Sequence, residues 1–179
     1  MNILFIILFS IIGLIALVIL LAIISKKEYE ISRNIVINKP VEEVFSYIKF
    51  LQNQNYYNKW WMFDPHAKKG FRGTDGTIGF VATWDSQNKQ AGAGEQEITN
   101  ITLNKRLDTE IRFFRPFKNT AHIYMLTEST GANQTKVTWV FTGKNKVPMN
   151  LMNSMISKML GKDFEESIQN LKNIVEKNE

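Results

Sequence analysis

A chain of 179 residues with a formal net charge of +5 has room for one domain with a single core and a short extra segment. Residues 28–179 hold 20 basic and 17 acidic residues, a net charge of only +3, and no stretch clusters lysines and arginines as a nucleic-acid-binding face does. The absence of cysteine excludes disulfides, and two histidines without a metal-binding spacing predict no metal or cofactor site.

The first predicted element is a long apolar helix. Between Ile3 and Ile24 the sequence has no charged residue, and a helix of this length extends about 33 Å, enough to cross a hydrocarbon core of about 30 Å. A cleaved signal peptide fits poorly, since it has a basic start, an apolar run of roughly 7–15 residues and small residues before the cut. We therefore expect residues 1–27 to form a single-pass membrane anchor with a basic flank, and no core residue within residues 1–25.

Two lysines predict the orientation of this anchor. Lys26 and Lys27 follow the apolar run, whereas no lysine or arginine precedes it. By the positive-inside rule, residues 28–179 are then expected to lie in the cytoplasm, and the absence of cysteine agrees with a reducing compartment. The two lysines are also expected near anionic lipid headgroups.

Residues 28–179 begin with a predicted strand and a helical segment. Residues 29–37 alternate apolar and polar side chains, as in a strand with one buried face. Pro40, followed by two glutamates, marks a helix start, and apolar residues at helical spacing continue this helix to Leu51. The polar and aromatic run from Gln52 to Trp61 is typical of a short second helix or a turn.

From Gly70 onward the pattern changes to strands. Glycines mark a hairpin turn at 74–76, and short turn sequences between the following apolar runs predict an antiparallel meander. Pro148 opens a long terminal helix, whose apolar residues recur at spacings of three to five. The predicted strands after the hairpin are 80–84, 90–101, 107–114, 120–127 and 135–141, and the predicted helix stripe is Met152, Ile156, Met159, Phe164, Ile168, Leu171 and Val175.

This order of elements resembles the helix-grip fold of the START/Bet v 1-like (SRPBCC) superfamily, and within it the bacterial polyketide cyclase/dehydrase-like group. The resemblance covers nearly all of residues 28–179. It implies an α+β fold, a curved antiparallel sheet of about seven strands wrapped on a long C-terminal helix, and a ligand pocket between them without a fixed catalytic set. The residues that carry it are 35–45, Trp60 with Asp64-Pro65, 76–79 with Trp84, 92–98, 135–143 and 164–172.

In such a fold the pocket wall combines the terminal helix with the strands that face it. Val137, Trp139 and Phe141 are expected to face this helix. Methionine is flexible and polarizable, which suits a wall that adapts to apolar ligands, and a methionine stripe is also consistent with ordinary core packing. The predicted lining is Trp84, Trp139, Phe141, Met152, Met155 and Met159.

Three polar residues are candidates for chemistry. His122 and Tyr124 share one strand face by the period of two, and Arg112 lies on the preceding predicted strand. If these side chains face the pocket, an acid/base pair permits enolisation or dehydration. If they face outward, they form cross-strand pairs, for example of Glu110 or Arg112 with His122. The sequence favours the outward arrangement but does not determine which face of the sheet carries these side chains.

The leading hypothesis is a membrane-anchored, non-enzymatic domain that binds a lipid, an isoprenoid or a similar small apolar ligand. One alternative is a cyclase or dehydratase acting on an apolar substrate in the same pocket, and another is a protein-interaction module with a collapsed pocket. A contiguous cavity of about 300 Å³ or more distinguishes the first two from the third. No cofactor and no nucleic-acid partner is expected, and a protein partner is left open.

Overall fold

The computed structural model describes residues 3–177. Its first element is helix α1, Ile3–Ile24, which carries no charged side chain and is long and apolar enough to span a membrane. The side chains of α1 are exposed except for Ala22, which is fully buried near the end of the helix. The expectation that residues 1–25 contribute nothing buried is therefore wrong at this position.

The rest of the chain is built on one seven-stranded antiparallel sheet. Its strand order is β1-β7-β6-β5-β4-β3-β2, so β2 to β7 form the predicted meander, and β1 pairs with the last strand. The α+β class and the number of strands agree with the prediction. The strands are β1 (Glu28–Ile37), β2 (Lys68–Arg72), β3 (Val81–Asp85), β4 (Ala93–Thr102), β5 (Arg106–Arg115), β6 (Asn119–Gly131) and β7 (Gln134–Lys144).

Helices cover the inner face of this sheet. The segment predicted as a short helix or a turn consists of three short helical pieces, and Asn58 caps the last of them by accepting the Trp60 backbone N–H at 3.0 Å. The helical elements are α2 (Val41–Ile48), a 3₁₀ turn (Leu51–Asn53), α3 (Gln54–Tyr57), α4 (Lys59–Met62), a second 3₁₀ turn (Met149–Met152) and α5 (Asn153–Lys177).

The main core lies between the sheet and helices α2 and α5. Trp139 is 2% exposed, and its ring centroid lies 4.8 Å from that of Phe164 in α5. Phe141 is buried against the same phenylalanine, at 6.0 Å. The prediction that Val137, Trp139 and Phe141 are buried in contact with the terminal helix region is confirmed. A second, smaller cluster under β3 and β4 comprises Leu51, Trp61, Phe80, Ala82, Ile98 and Leu107.

One end of the sheet adjoins α1. Only residues 25–27 separate α1 from β1, and the first residue of β1, Glu28, pairs with Lys144 at the end of β7. At the same end, antiparallel pairing places the start of β4 opposite the last residue of β5. The β3–β4 loop, the β5–β6 loop and the segment after β7 therefore all leave the sheet at this end, which we call the anchor end.

Two asparagines bind the end of α1 to the segment after β7. Asn150 Nδ2 donates to the carbonyl oxygens of Ala22 at 2.7 Å and Ser25 at 3.1 Å. Asn153 Nδ2 donates to the carbonyl oxygens of residues 26 and 27 at 3.0 and 3.2 Å. Because the last carbonyls of a helix lack partners within the helix, these amides supply donors that α1 itself cannot. We call this pair the asparagine clamp.

The start of α5 does not face the sheet as predicted. Met152, Met155 and Met159 are 40, 58 and 54% exposed. The step from Met159 to Phe164 covers five residues, about 1.4 turns of an α-helix, so the methionines and Phe164 point in different directions. The predicted stripe is thus two stripes on two faces, and the buried one consists of Phe164, Ile168, Leu171 and Val175.

Candidate functional site

A cavity of about 170 Å³ lies between the inner face of the sheet and helices α4 and α5. Its wall is mostly apolar and rich in aromatic rings. It reaches the anchor end, because its lining includes Gln90 and Ala91 of the β3–β4 loop and Arg115 and Pro116 at the β5–β6 loop. The remaining lining residues are Asn58, Trp60, Trp61, Asp64, Ala67, Lys69, Trp84, Gln96, Ile111, Phe113, Ile123, Trp139, Phe141, Leu160 and Phe164.

Trp84 forms one side of the cavity and is held in a fixed position. Its ring packs edge-on against Trp61 and Phe113, with 5.9 Å between centroids in each pair, and its Nε1 donates to the Ala91 carbonyl at 3.0 Å. Gly94 on the neighbouring strand leaves the space that the ring occupies, since a Cβ there would lie 2.5 Å from a ring carbon. This wall is therefore rigid rather than adaptable.

Trp139 lies on the cavity wall and carries an unpaired donor that is buried within the protein. Its ring lies between Tyr57, at 5.8 Å, and Phe164, at 4.8 Å. Among residues 3–177 no acceptor is found for the buried Trp139 Nε1, and the buried Tyr57 hydroxyl also has no partner. Burial raises the pKa of Tyr57 above its ordinary value. A buried polar group without a partner costs about 1–3 kcal/mol of stability.

Lys69 brings a positive charge to the same wall. Its Nζ donates to Asn55 Oδ1 at 2.7 Å and to the Trp61 carbonyl at 2.8 Å, and it lies 5.6 Å from the centroid of the Trp61 ring. The Asp64 carboxylate of the same wall attracts this ammonium group without forming an ion pair with it. Burial is the larger influence and lowers the pKa of the ammonium group below that of an ordinary lysine. An ammonium group has three N–H donors, so one remains for a ligand.

Two other polar residues of the wall, Asp64 and Gln96, are hydrogen-bonded within the protein. Ser86 Oγ donates to the Asp64 carboxylate, and the His66 backbone N–H donates to it at 2.9 Å. These hydrogen bonds hold the pKa of Asp64 below its ordinary value. Gln96 is 2% exposed, and its Nε2 donates to Thr109 Oγ1 at 3.0 Å. The cavity thus offers few free polar contacts, which favours an apolar occupant.

The candidates for chemistry lie on the opposite face of the sheet. The His122 side chain is 69% exposed, with its Nδ1 4.0 Å from Glu110. Arg112 contacts three carboxylates, those of Glu95, Glu97 and Glu110, at 2.5–2.7 Å. These contacts raise the pKa of its guanidinium. The outward arrangement that the sequence favoured, with cross-strand pairs, is the one observed.

Tyr124 also lies on this outer face. Its ring is covered by the guanidinium of Arg106, whose Cζ is 4.0 Å from the ring centroid. Arg106 in turn contacts Asp108 at 2.6 Å. The three candidates for chemistry therefore lie among surface charges and do not line the cavity. They are Arg112, His122 and Tyr124.

The structure brings together half of the predicted lining. Trp84, Trp139 and Phe141 lie on the cavity wall. Met152, at the end of the second 3₁₀ turn, and Met155 and Met159 of α5 do not, because their side chains are exposed. Leu160 and Phe164 form the helix side of the wall instead.

Sequence reasoning missed Lys69 as a cavity residue. Strand β2 is only five residues long, and none of its residues is fully buried, so buried and exposed positions do not alternate clearly. The available signal was register: Lys69 pairs with Trp84 across β2 and β3, and residues directly opposite each other in a sheet point to the same face. A lysine opposite a pocket tryptophan is a candidate pocket residue.

Comparison with known sequences identifies the family of this fold. A sequence model of the family "Polyketide cyclase / dehydrase and lipid transport" matches residues 28–176. The chain belongs to this family. Among curated proteins, none matches the chain in sequence.

Solved structures with low sequence identity to this chain share its fold. Norcoclaurine synthase from Thalictrum flavum, in complex with dopamine and hydroxybenzaldehyde, is similar with a TM-score of 0.64 and 10% identity, over 89% of this chain and 92% of that one. A protein from Mesorhizobium loti is similar with a TM-score of 0.62 and 12% identity, over 84% and 99%. Ara h 8.0201 is similar with a TM-score of 0.55 and 13% identity, over 84% and 99%. The chain has the Bet v 1-like helix-grip fold, and the predicted superfamily is confirmed.

Proposed function

We propose that this protein is a membrane-anchored, non-enzymatic binding protein for a small hydrophobic ligand, such as a lipid or an isoprenoid. The observation that carries the proposal is the aromatic-lined cavity between the sheet and α5. Lipid transport in the family's description supports it. So does norcoclaurine synthase, a protein of the same fold whose structure holds two small aromatic molecules.

The volume of the cavity limits what it can enclose. At about 170 Å³ it is smaller than the volume of about 300 Å³ or more that is typical of sites enclosing a drug-sized molecule. A dry apolar cavity of about 150 Å³ accommodates benzene. We infer that the cavity takes one ring or the end of an acyl or isoprenoid chain, and that the rest of the ligand extends toward the anchor end.

Lys69 suggests the chemistry of the ligand's polar group. It lies on the cavity wall, and its ammonium group has one N–H beyond the two that donate to Asn55 and to the Trp61 carbonyl. Hydrogen bonds to a charged partner are stronger than those between neutral groups. A ligand with a carbonyl or carboxylate oxygen would accept this N–H, so we propose an apolar molecule with one such acceptor.

The proposal gives the two parts of the chain separate roles. Residues 1–27 act as the membrane anchor, and residues 28–179 act as the binding domain on the cytoplasmic side, as Lys26 and Lys27 favour. No catalytic step is assigned, since His122, Tyr124 and Arg112 lie on the outer face of the sheet. An interaction module stays the alternative, because the cavity is smaller than the volume that would exclude it, and the aromatic lining is what favours ligand binding.

The test compares two neighbouring residues of α5. Leu160 lies on the cavity wall, whereas Met159 is 54% exposed. The full-length protein, purified in mild detergent, is extracted with organic solvent, and the extract is measured by mass spectrometry. Leu160→Trp should remove most of the co-purifying ligand, because the larger ring occupies the cavity, while Met159→Trp should retain it.

Two further measurements complete this experiment. Lys69→Met should release ligands that carry a carboxylate more than ligands without one. Thermal unfolding of each variant checks that the fold is intact. A wild-type protein without ligand, or equal ligand content in Leu160→Trp and Met159→Trp, contradicts the proposal.

A further inference from the structure

The start of α5 and the turn before it carry an unusual number of exposed apolar side chains. Met152, Met155 and Met159 follow each other at spacings of three and four, so they share one face of the helix. Exposed apolar groups of this kind are typical of interaction surfaces. The six residues, which we call the methionine surface, are 36–58% exposed: Val147, Met149, Leu151, Met152, Met155 and Met159.

The charged residues of the chain segment that carries the methionine surface are all lysines. From Lys144 to Lys162 the sequence has four lysines and no aspartate or glutamate. Lys144 pairs with Glu28 at 2.9 Å, but Lys146, Lys158 and Lys162 form no ion pair with any residue from 3 to 177. A partner of this surface is therefore apolar in part and negatively charged in part.

The asparagine clamp places this surface at the end of α1. Asn150 and Asn153, which bind the carbonyl oxygens at the end of α1 and in the connection after it, lie within the same stretch of chain as the methionine surface. From Asn153 to Met159 the helix rises only about 9 Å. If α1 spans a bilayer, its last turn lies at the edge of the hydrocarbon core, and the methionine surface lies beside it.

We propose that the methionine surface lies in the interface of the bilayer that α1 spans, with its lysines against anionic phospholipid headgroups. This inference rests on the proposed anchor. A basic helix with an apolar face is typical of segments that lie in the headgroup region, with the apolar face about 5–10 Å deep, and lysines near anionic lipid add attraction.

The same contact brings the cavity to the bilayer. Leu160 follows Met159 directly and lines the cavity, and the lining residues Arg115 and Pro116 lie at the anchor end. The lipid surface is thereby next to the part of the cavity at the anchor end, so a hydrophobic ligand passes between the two without crossing open water.

The experiment uses single-cysteine variants, since the chain has no cysteine of its own. Each full-length variant carries an environment-sensitive fluorophore and is reconstituted in vesicles of phosphatidylcholine and phosphatidylglycerol that contain nitroxide-labelled lipid. Met155→Cys reports on the methionine surface and Gly13→Cys on insertion of α1. Leu103→Cys is the control, because Leu103 is 69% exposed in the β4–β5 turn, away from the anchor end.

The label at 155 should be quenched several-fold more than the label at 103, and more by a nitroxide near the top of the acyl chain than by one near its end. Replacing phosphatidylglycerol by phosphatidylcholine should weaken this quenching. Adding Lys158→Glu and Lys162→Glu should weaken it too, whereas Lys105→Glu, beside the control site, should not.

The outcomes distinguish this inference from the proposed membrane anchor and from the proposed ligand binding. Quenching at 13 with equal, weak quenching at 155 and 103 overturns the inference and leaves the anchor in place. A label at 155 that is shielded from water but not quenched by lipid also overturns it, since a second copy of the chain then covers the surface. Absence of quenching at 13 overturns the anchor, and the inference with it. None of these readings depends on whether the cavity holds a ligand.

Discussion

The inner and outer faces of strands β4 to β6 are made of alternate residues of the same chain, yet they differ completely in chemistry. On the inner face, Ile111, Phe113 and Ile123 line the cavity. On the outer face, Arg112 alone contacts three glutamates. The inner face depends on how volumes fit together, and the outer face depends on charges that water and salt screen. Substitutions on the two faces should therefore differ in both the size and the salt dependence of their effects.

The largest effect is expected from Trp139→Ala on the inner face. The ring is buried between Tyr57 and Phe164, so its removal leaves a large void in the main core. Loss of a buried aromatic side chain typically costs about 3–5 kcal/mol of unfolding free energy, much of the stability of an ordinary domain. Denaturant unfolding of the full-length protein in detergent measures it. An outer-face change, Tyr124→Ala, should cost clearly less, and equal costs would contradict the contrast between the faces.

An intermediate effect is expected when the inner face is overfilled. In Gly94→Ala the new methyl group would lie 2.5 Å from the Trp84 ring and 2.4 Å from the Arg112 carbonyl oxygen, and overpacking of this kind typically costs about 1–3 kcal/mol. The matched control is Gly131→Ala, where the nearest atom is 3.8 Å away. The tryptophan emission spectrum should also change in Gly94→Ala alone, because Trp84 must move. A Gly94→Ala protein as stable as the control would show that the Trp84 wall is not rigid.

The smallest effect is expected from Arg112→Met on the outer face. Partly exposed ion pairs contribute up to about 1 kcal/mol each, so the loss should be on the order of 1 kcal/mol at low ionic strength. It should shrink as salt is added, because salt screens charges near the surface. Arg72→Met is the control, since Arg72 is 70% exposed and 3.9 Å from Glu95. A loss at Arg112 that is independent of salt would mean that packing, and not charge, holds this face together.

The fold was predictable from the sequence because local signals agreed along the whole chain. Alternation in residues 29–37, the helix start at Pro40 and the turn sequences between strands each fixed one element, and their order left few ways to arrange them. Burial of Val137, Trp139 and Phe141 followed from the period of two together with hydrophobicity, because all three residues on this face are apolar. The faces of Arg112 and His122 did not, because a period identifies which residues share a face but not whether that face is inside.

The helix side of the site was not predictable with the same method. Because spacings of three to five residues were accepted, Met159 and Phe164 were predicted to share one face of the helix. Five residues correspond to about 1.4 turns, so the two side chains lie on different faces. Hydrophobicity could not show that these methionines are exposed, since an exposed methionine and a buried one look alike in sequence. The signal was the missing acidic residues between Lys144 and Lys162, which marked this stretch as different from the rest of α5. Lys69 required knowledge of the β2–β3 register.

The asparagine clamp makes the junction between α1 and the sheet stiff. Four backbone carbonyls near the end of α1 accept from side chains more than 120 residues away in the chain, so the three connecting residues cannot act as a free swivel. If α1 spans a bilayer, as proposed, a change in its tilt imposed by a thinner or thicker bilayer is transmitted to the sheet as a rotation of the whole body. The orientation of the cavity therefore depends on the orientation of the α1 axis.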